Sequence, residues 1–190
     1  VDSGKDRLRR LWRARLTPPT PAGVAALIAR LSDWVGTRGF DTVLATLPLP
    51  EEPDLTPFYQ DWLRHGNRLA LARTGPRRSM DFAFVSNLAG PWTVKRGGIQ
   101  EPPLDAAGWR PGKPTLLLVP GLAFAPAKDG IVRLGRGGGY FDRWLSEYHD
   151  AVTTLGVGFS YQFTGALPRE PHDVLLDGWM DETGWHGRRA

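Results

Sequence analysis

Cysteine is absent from all 190 residues, so disulfides, thiolate nucleophiles and cysteine-held zinc are excluded. No apolar run approaches the ~18 residues that cross a bilayer, and no signal-peptide pattern opens the sequence. The expectation is a cytoplasmic chain with no membrane partner. Lysine is scarce, at positions 5, 95, 113 and 128 only, and every other basic residue is arginine. The formal net charge of +4 points to an anionic partner without saying which kind. No segment repeats and none is of low complexity, so one domain spanning 1–190 is expected at this length.

What is present concentrates between Leu116 and Arg143. Leu116 to Val119 is an apolar run that reads as a buried strand. It leads to a loop with glycine at 135, 137, 138 and 139, where the backbone can turn sharply and bring N–H groups against a ligand. Arg133 and Arg136 add guanidinium forks, and Asp142 adds a hard oxygen donor suited to Mg²⁺. Such a loop offers what a nucleoside triphosphate requires. It is not a Walker A loop, which ends in Gly-Lys-Ser/Thr, because this one ends Gly139-Tyr140-Phe141. Nor is it a dinucleotide fingerprint, which would need glycine where Tyr140 stands. A plain surface turn or an Arg-Gly tail is the bland alternative, but packed apolar segments flank the loop.

Along the rest of the chain, Ser3 can cap a first helix whose Leu8, Leu11, Trp12 and Leu16 recur at helical spacing. A second helix starts at Thr20-Pro21 and buries Val24, Leu27, Ile28, Leu31 and Val35 before Gly36. The pattern then predicts a strand over 42–47, a helix from Thr56-Pro57 to Gly66, and strands over 68–72, 80–85 and 92–94. Loop is expected over 100–114, a helix over 140–148, a strand over 152–158 and a short last strand over 173–176. Alternation of this kind argues an α/β fold, a single-domain three-layer sandwich with a largely parallel sheet, Rossmann-like, with ligands beyond the carboxyl ends of its strands.

The string Val119-Pro-Gly-Leu-Ala-Phe124, followed by Arg133-Leu-Gly-Arg-Gly-Gly-Gly-Tyr-Phe-Asp-Arg143, resembles the signature of the 5-formyltetrahydrofolate cyclo-ligases. There Pro-Gly-x-x-Phe precedes Arg-Leu-Gly-(Arg/Tyr)-Gly-x-Gly-Tyr-(Tyr/Phe)-Asp-Arg. Gly98-Ile-Gln-Glu-Pro102, Phe159-Ser-Tyr-Gln162 and Pro168-Arg-Glu-Pro-His-Asp173 are similar to further elements of that family. One departure is the stretch Ala125 to Gly130, a longer turn where the family has Phe-Asp. Another is Gly138, where some members carry lysine.

The resemblance implies an ATP site made by Lys5, Arg9, Arg133, Leu134, Gly135, Arg136, Gly137, Gly138, Gly139, Tyr140 and Phe141. Lys5 and Arg9 are four apart, on one helical face, although such residues are ordinarily solvated. It implies a folate site made by Glu52, with Glu51 possible instead, and by Met80, Arg136, Tyr140 and the glycines 137–139. Glu51 and Glu52 would otherwise be a charged turn. Asp142 and Asp173 would hold Mg²⁺, and Arg136 and Tyr140 would serve the chemistry. The implied partners are ATP, as co-substrate, and 5-formyltetrahydrofolate, used by a monomer with no nucleic-acid partner. The rival readings are a non-catalytic homologue that binds nucleic acid through the basic first helix, a phosphosugar isomerase or CoA transferase of related fold, and a nucleotide-binding module without a folate pocket.

Overall fold

Residues 4–95 and 99–187 are described by a computed structural model; Ser3, expected to cap the first helix, and Gly98 of the Gly-Ile-x-Glu-Pro element lie outside them. The central sheet has seven strands. Its parallel middle runs β2 (Arg68–Thr74), β1 (Thr42–Ala45), β6 (Thr115–Pro120), β9 (Thr153–Val157) and β10 (Gly178–Asp181). Antiparallel strands close both edges, β3 (Met80–Val85) beside β2 and β11 (Gly184–Gly187) beside β10.

Strands covered on both faces read as continuous apolar runs, and all four residues of β1 are buried. Successive side chains nevertheless go to opposite sides, as strand geometry requires. Val43, Ala45, Leu69, Leu71, Leu116 and Leu118 meet α2 (Pro21–Gly36) and α3 (Thr56–Arg64) through Leu27, Leu31, Val35, Phe58 and Tyr59. Leu44, Ala70, Leu117 and Val119 meet α4 (Tyr140–Tyr148) through Trp144 and Leu145. That is the expected three-layer arrangement. Thr20 caps α2 by accepting from the Gly23 N–H, with Pro21 in the first turn.

Four expectations need correction. Ala125 to Gly130 is not a long turn: β7 (Ala123–Ala127) and β8 (Gly130–Leu134) form a hairpin that turns tightly at 128–129. Residues 173–176 are not a strand. Only Leu176 makes a bridge, to Ile131, and the strands at this end are β10 and β11, joined across a turn at 182–183. Leu11 is half exposed rather than on the packed face of α1 (Gly4–Arg15). The inward positions of α1 are Lys5, Leu8, Arg9, Trp12 and Leu16, a single stripe at helical spacing. Trp12 packs with Leu122, Ala123 and Leu134, so α1 lies on the base of the hairpin rather than on the sheet. The loop expected over 100–114 begins with two paired residues, since β4 (Thr93–Val94) pairs with β5 (Gln100–Glu101).

Phe124 stands at the junction of hairpin and sheet, fully buried, with its ring centroid 4.2 Å from that of Trp179. Gly156 on β9 makes room for it: a Cβ there would lie 2.6 Å from Phe124 Cε1. Gly156→Ala is expected to destabilise the fold by about 1–3 kcal/mol, the cost of overpacking a filled core, measured by urea unfolding.

Candidate active site

The parallel strands deliver their carboxyl ends to one cavity of about 360 Å³. Thr46 and Leu47 follow β1, Thr74 ends β2, and Pro120 and Gly121 end β6; all line it. Opposite them run residues 133–142, from β8 through the glycine loop to the first turn of α4. α1 contributes Lys5 and Arg9, and the segment before β10 contributes His172 and Asp173. Glu52 and Met80 complete the wall. Apart from the alternative Glu51, every residue named from the sequence as an ATP, folate or metal contact therefore lines this one space.

The side chains are tied to each other. Lys5, buried, donates from Nζ to Asp173 Oδ2 (2.5 Å) and to Glu170 Oε2 (3.2 Å). Burial pushes the Asp173 carboxyl up, but the Glu170 backbone N–H and the Lys5 ammonium outweigh it and hold the group below its ordinary value of 3.8. Arg133 donates from Nη2 to Asp142 Oδ2 (3.1 Å). Burial lowers this guanidinium from its usual range, and Asp142 opposes that shift without cancelling it. The buried Arg133 Nε has no hydrogen-bond partner among the described residues.

Arg136 reaches across the cavity. Its Nε and Nη2 donate to Glu52 Oε1 (3.2 and 3.1 Å), while Nη1 lies 2.7 Å from Glu51 Oε1. Glu52 Oε2 also accepts from the Leu49 N–H (3.1 Å). Burial raises the Glu51 carboxyl, yet its own backbone N–H and Arg136 outweigh that and hold it low. The choice between the two glutamates left open by the sequence is narrowed here, because Glu52 lines the cavity and Glu51 does not.

Arg9 points Nε at Gly135 O (3.1 Å) and Nη1 at Asp6 Oδ1 (2.6 Å). Glu101, also buried, accepts from the Thr74 N–H and hydroxyl and so ties β5 to β2 beside the cavity. Gln162 donates to Gly121 O and accepts from the Phe159 N–H, holding the turn after β6. Two residues went unnamed by the sequence: Arg13, which donates to Arg136 O (2.8 Å), and Arg143, which donates to Gly138 O (2.8 Å). For Arg13 a signal existed, since it continues the Lys5–Arg9 spacing by one more turn. For Arg143 the signal was its place at the end of the Gly-Tyr-Phe-Asp-Arg143 string.

The carboxylates Asp142 and Asp173 are hard oxygen donors of the kind Mg²⁺ takes, and Asp142 Oδ1 accepts no hydrogen bond among the described residues. The donor set fits that ion. Glu170, His172 and Asp173 also bring ligand atoms within 4.8 Å of one another, and the Lys5 ammonium contacts both carboxylates of that group.

An α/β sheet with an arginine-flanked glycine loop beyond its strand ends is an arrangement that can take an anionic ligand. The sequence pattern of the 5-formyltetrahydrofolate cyclo-ligase family matches residues 4–180, and the chain belongs to that family of enzymes. It is 30% identical over 142 residues to the 5-formyltetrahydrofolate cyclo-ligase of Mycolicibacterium smegmatis, covering 71% of this chain and 70% of that one. It is 38% identical over 79 residues to the mitochondrial enzyme of Arabidopsis thaliana, a stretch that spans only 27% of that protein. The structure of Aquifex aeolicus 5,10-methenyltetrahydrofolate synthetase superposes with a TM-score of 0.76 at 26% identity, over 98% of this chain and 95% of that one.

The clasp between Lys5 and Asp173 predicts a pH dependence. A carboxyl depressed in the folded state contributes stability in full above its unfolded value and loses it as pH falls through the folded one. Asp173→Asn should lower Tm near neutrality, and its difference from wild type should shrink as the pH drops below 3.8, as read by thermal melts across that range.

Proposed function

We propose that this chain, as one domain over 1–190 and as a cytoplasmic monomer, is an ATP- and Mg²⁺-dependent cyclo-ligase. It converts 5-formyltetrahydrofolate to 5,10-methenyltetrahydrofolate and releases ADP and phosphate. The single observation that carries this reading is the contact of Arg136 with Glu52. It brings the phosphate-binding loop and the carboxylate suited to the guanidine-like edge of the pterin to one point. Family membership and the Aquifex aeolicus fold support the same reading. No helix is long and apolar enough to cross a membrane. The basic first helix, which would also suit nucleic acid, engages Lys5, Arg9 and Arg13 in contacts within the chain.

The need for ATP is chemical. A formamide oxygen is a poor leaving group at neutral pH. Transfer of the γ-phosphoryl group to that oxygen makes an imidate phosphate. N10 then attacks the formyl carbon, the five-membered ring closes, and phosphate departs. Phosphoryl transfer asks a protein for alignment and charge stabilisation. Lys5, Arg9, Arg133, Arg136 and the loop N–H groups from Leu134 to Phe141 hold the triphosphate, and Arg136 also contacts Glu52. Asp142 and Asp173 would hold Mg²⁺, which when bound offsets phosphate charge. Glu52 and Met80 hold the folate ring, and Tyr140 orients the formyl group or N10.

The test follows the methenyl product by absorbance. Product should form only when Mg-ATP and 5-formyltetrahydrofolate are both present, and Arg136→Ala should reduce turnover roughly 10²–10³-fold, the scale of one lost transition-state donor. Glu52→Gln should raise KM for the folate while Glu51→Gln leaves it near wild type. Equal effects from the two would remove Glu52 from the folate site.

A further inference from the structure

We propose that Arg13 and Arg143, together with Arg9, are positioning residues that hold the carbonyls of the glycine loop outward and thereby aim its amides at the phosphates. The inference rests on the reading of the cavity as an ATP site and adds two residues to its machinery. Three carbonyls of the loop are each held by a different arginine. Arg9 Nε donates to Gly135 O (3.1 Å), Arg13 Nη2 to Arg136 O (2.8 Å) and Arg143 Nη2 to Gly138 O (2.8 Å).

A trans peptide is planar, with its C=O and the following N–H pointing opposite ways. Holding those carbonyls therefore directs the N–H groups of Arg136, Gly137 and Gly139 away from the arginines. Arg13 and Arg143 are not part of the cavity wall, whereas the loop from 135 to 139 is. Among the described residues those three N–H groups donate to no protein acceptor, and their residues line the cavity. Gly139 precedes α4, so its amide adds to the positive end of that helix.

Arg143 is itself anchored. Its Nε and Nη2 also donate to Arg78 O (3.3 and 2.9 Å), which straps the glycine loop to the turn between β2 and β3. That turn holds Arg77 and Arg78 at φ of 53° and 59°, a left-handed conformation that a non-glycine residue adopts at some cost. Gly137 and Gly139 sit at φ of 100° and 65°, a backbone conformation that glycine adopts without a Cβ penalty, and Arg9 and Arg143 lie on the side where that Cβ would stand.

Steady-state kinetics and calorimetry with Mg-ADP test this on the intact protein. Arg13→Ala and Arg143→Ala should each raise KM for Mg-ATP roughly 10- to 100-fold, the scale of a misplaced binding group, with KM for 5-formyltetrahydrofolate unchanged. Arg13→Lys should recover most of the loss, since one ammonium serves one carbonyl. Arg143→Lys should recover only part, because an ammonium lacks the fork that joins two carbonyls. The penalties should persist at high salt, where the Debye length is about 3 Å.

Wild-type KM for Mg-ATP in both alanine variants would overturn the proposal, as would penalties that vanish in salt, which mark plain charge attraction. If Arg143→Ala fails to fold, the Arg13 pair and Arg143→Lys decide the matter by the same readings. Wild-type protein that binds no Mg-ADP would instead sink the functional reading itself.

Discussion

The peptide planes between residues 135 and 139 are the constraint on which the site depends. A phosphate group is bound by amides only when several of them converge, and a loop of glycines has no intrinsic reason to hold such an arrangement. Here the loop is bounded on both sides by regular structure, with β8 ending at Leu134 and α4 starting at Tyr140. Arginines from two helices hold the carbonyls between those limits. Conformational freedom supplied by glycine is thus restricted by side chains from elsewhere in the chain, which is preorganisation in the sense that matters for catalysis.

The second half of the site depends on Arg136. Its contact with Glu52 joins the loop after β1 to the loop after β8, two segments with 84 residues between their partners. That junction is possible because the parallel sheet sends β1 and β6 in the same direction, with the hairpin of β7 and β8 folded back over the end of β6. The same guanidinium can then sense a phosphoryl group on one side and a carboxylate-held ring on the other. Cations and carboxylates across the cavity pair with each other: Lys5 with Asp173, Arg133 with Asp142, Arg136 with Glu51 and Glu52. Ligands must replace those partners, and a phosphate and a metal ion can do so together.

Much of this was legible in the residues. The apolar run of Leu116 to Val119, the Thr20-Pro21 start of α2 and the start of α4 at Tyr140 are local signals, and each appears where local physics puts it. The glycine loop and its arginines were legible because their composition has few structural uses. The hairpin was not, since Pro126 and Gly130 read as turn residues and nothing local says that Pro126 faces an edge where its missing N–H costs nothing. β10 and β11 were missed because four-residue strands containing glycine carry little periodicity. The role of Arg13 lies in a contact 123 residues away, and the anchor of Arg143 in one 65 residues away, neither of which a local pattern encodes. Glu51 and Glu52 are neighbours of the same type, and only the cavity wall separates them.

The most direct measurement of the central claim is the ¹⁵N amide spectrum of the loop titrated with Mg-ATP in the absence of folate. The account predicts that the Gly137 and Gly139 resonances move far downfield together as their N–H groups donate to phosphate, while Gly165, outside the cavity, stays in place. Saturable nucleotide binding that leaves both loop glycines unmoved would contradict it.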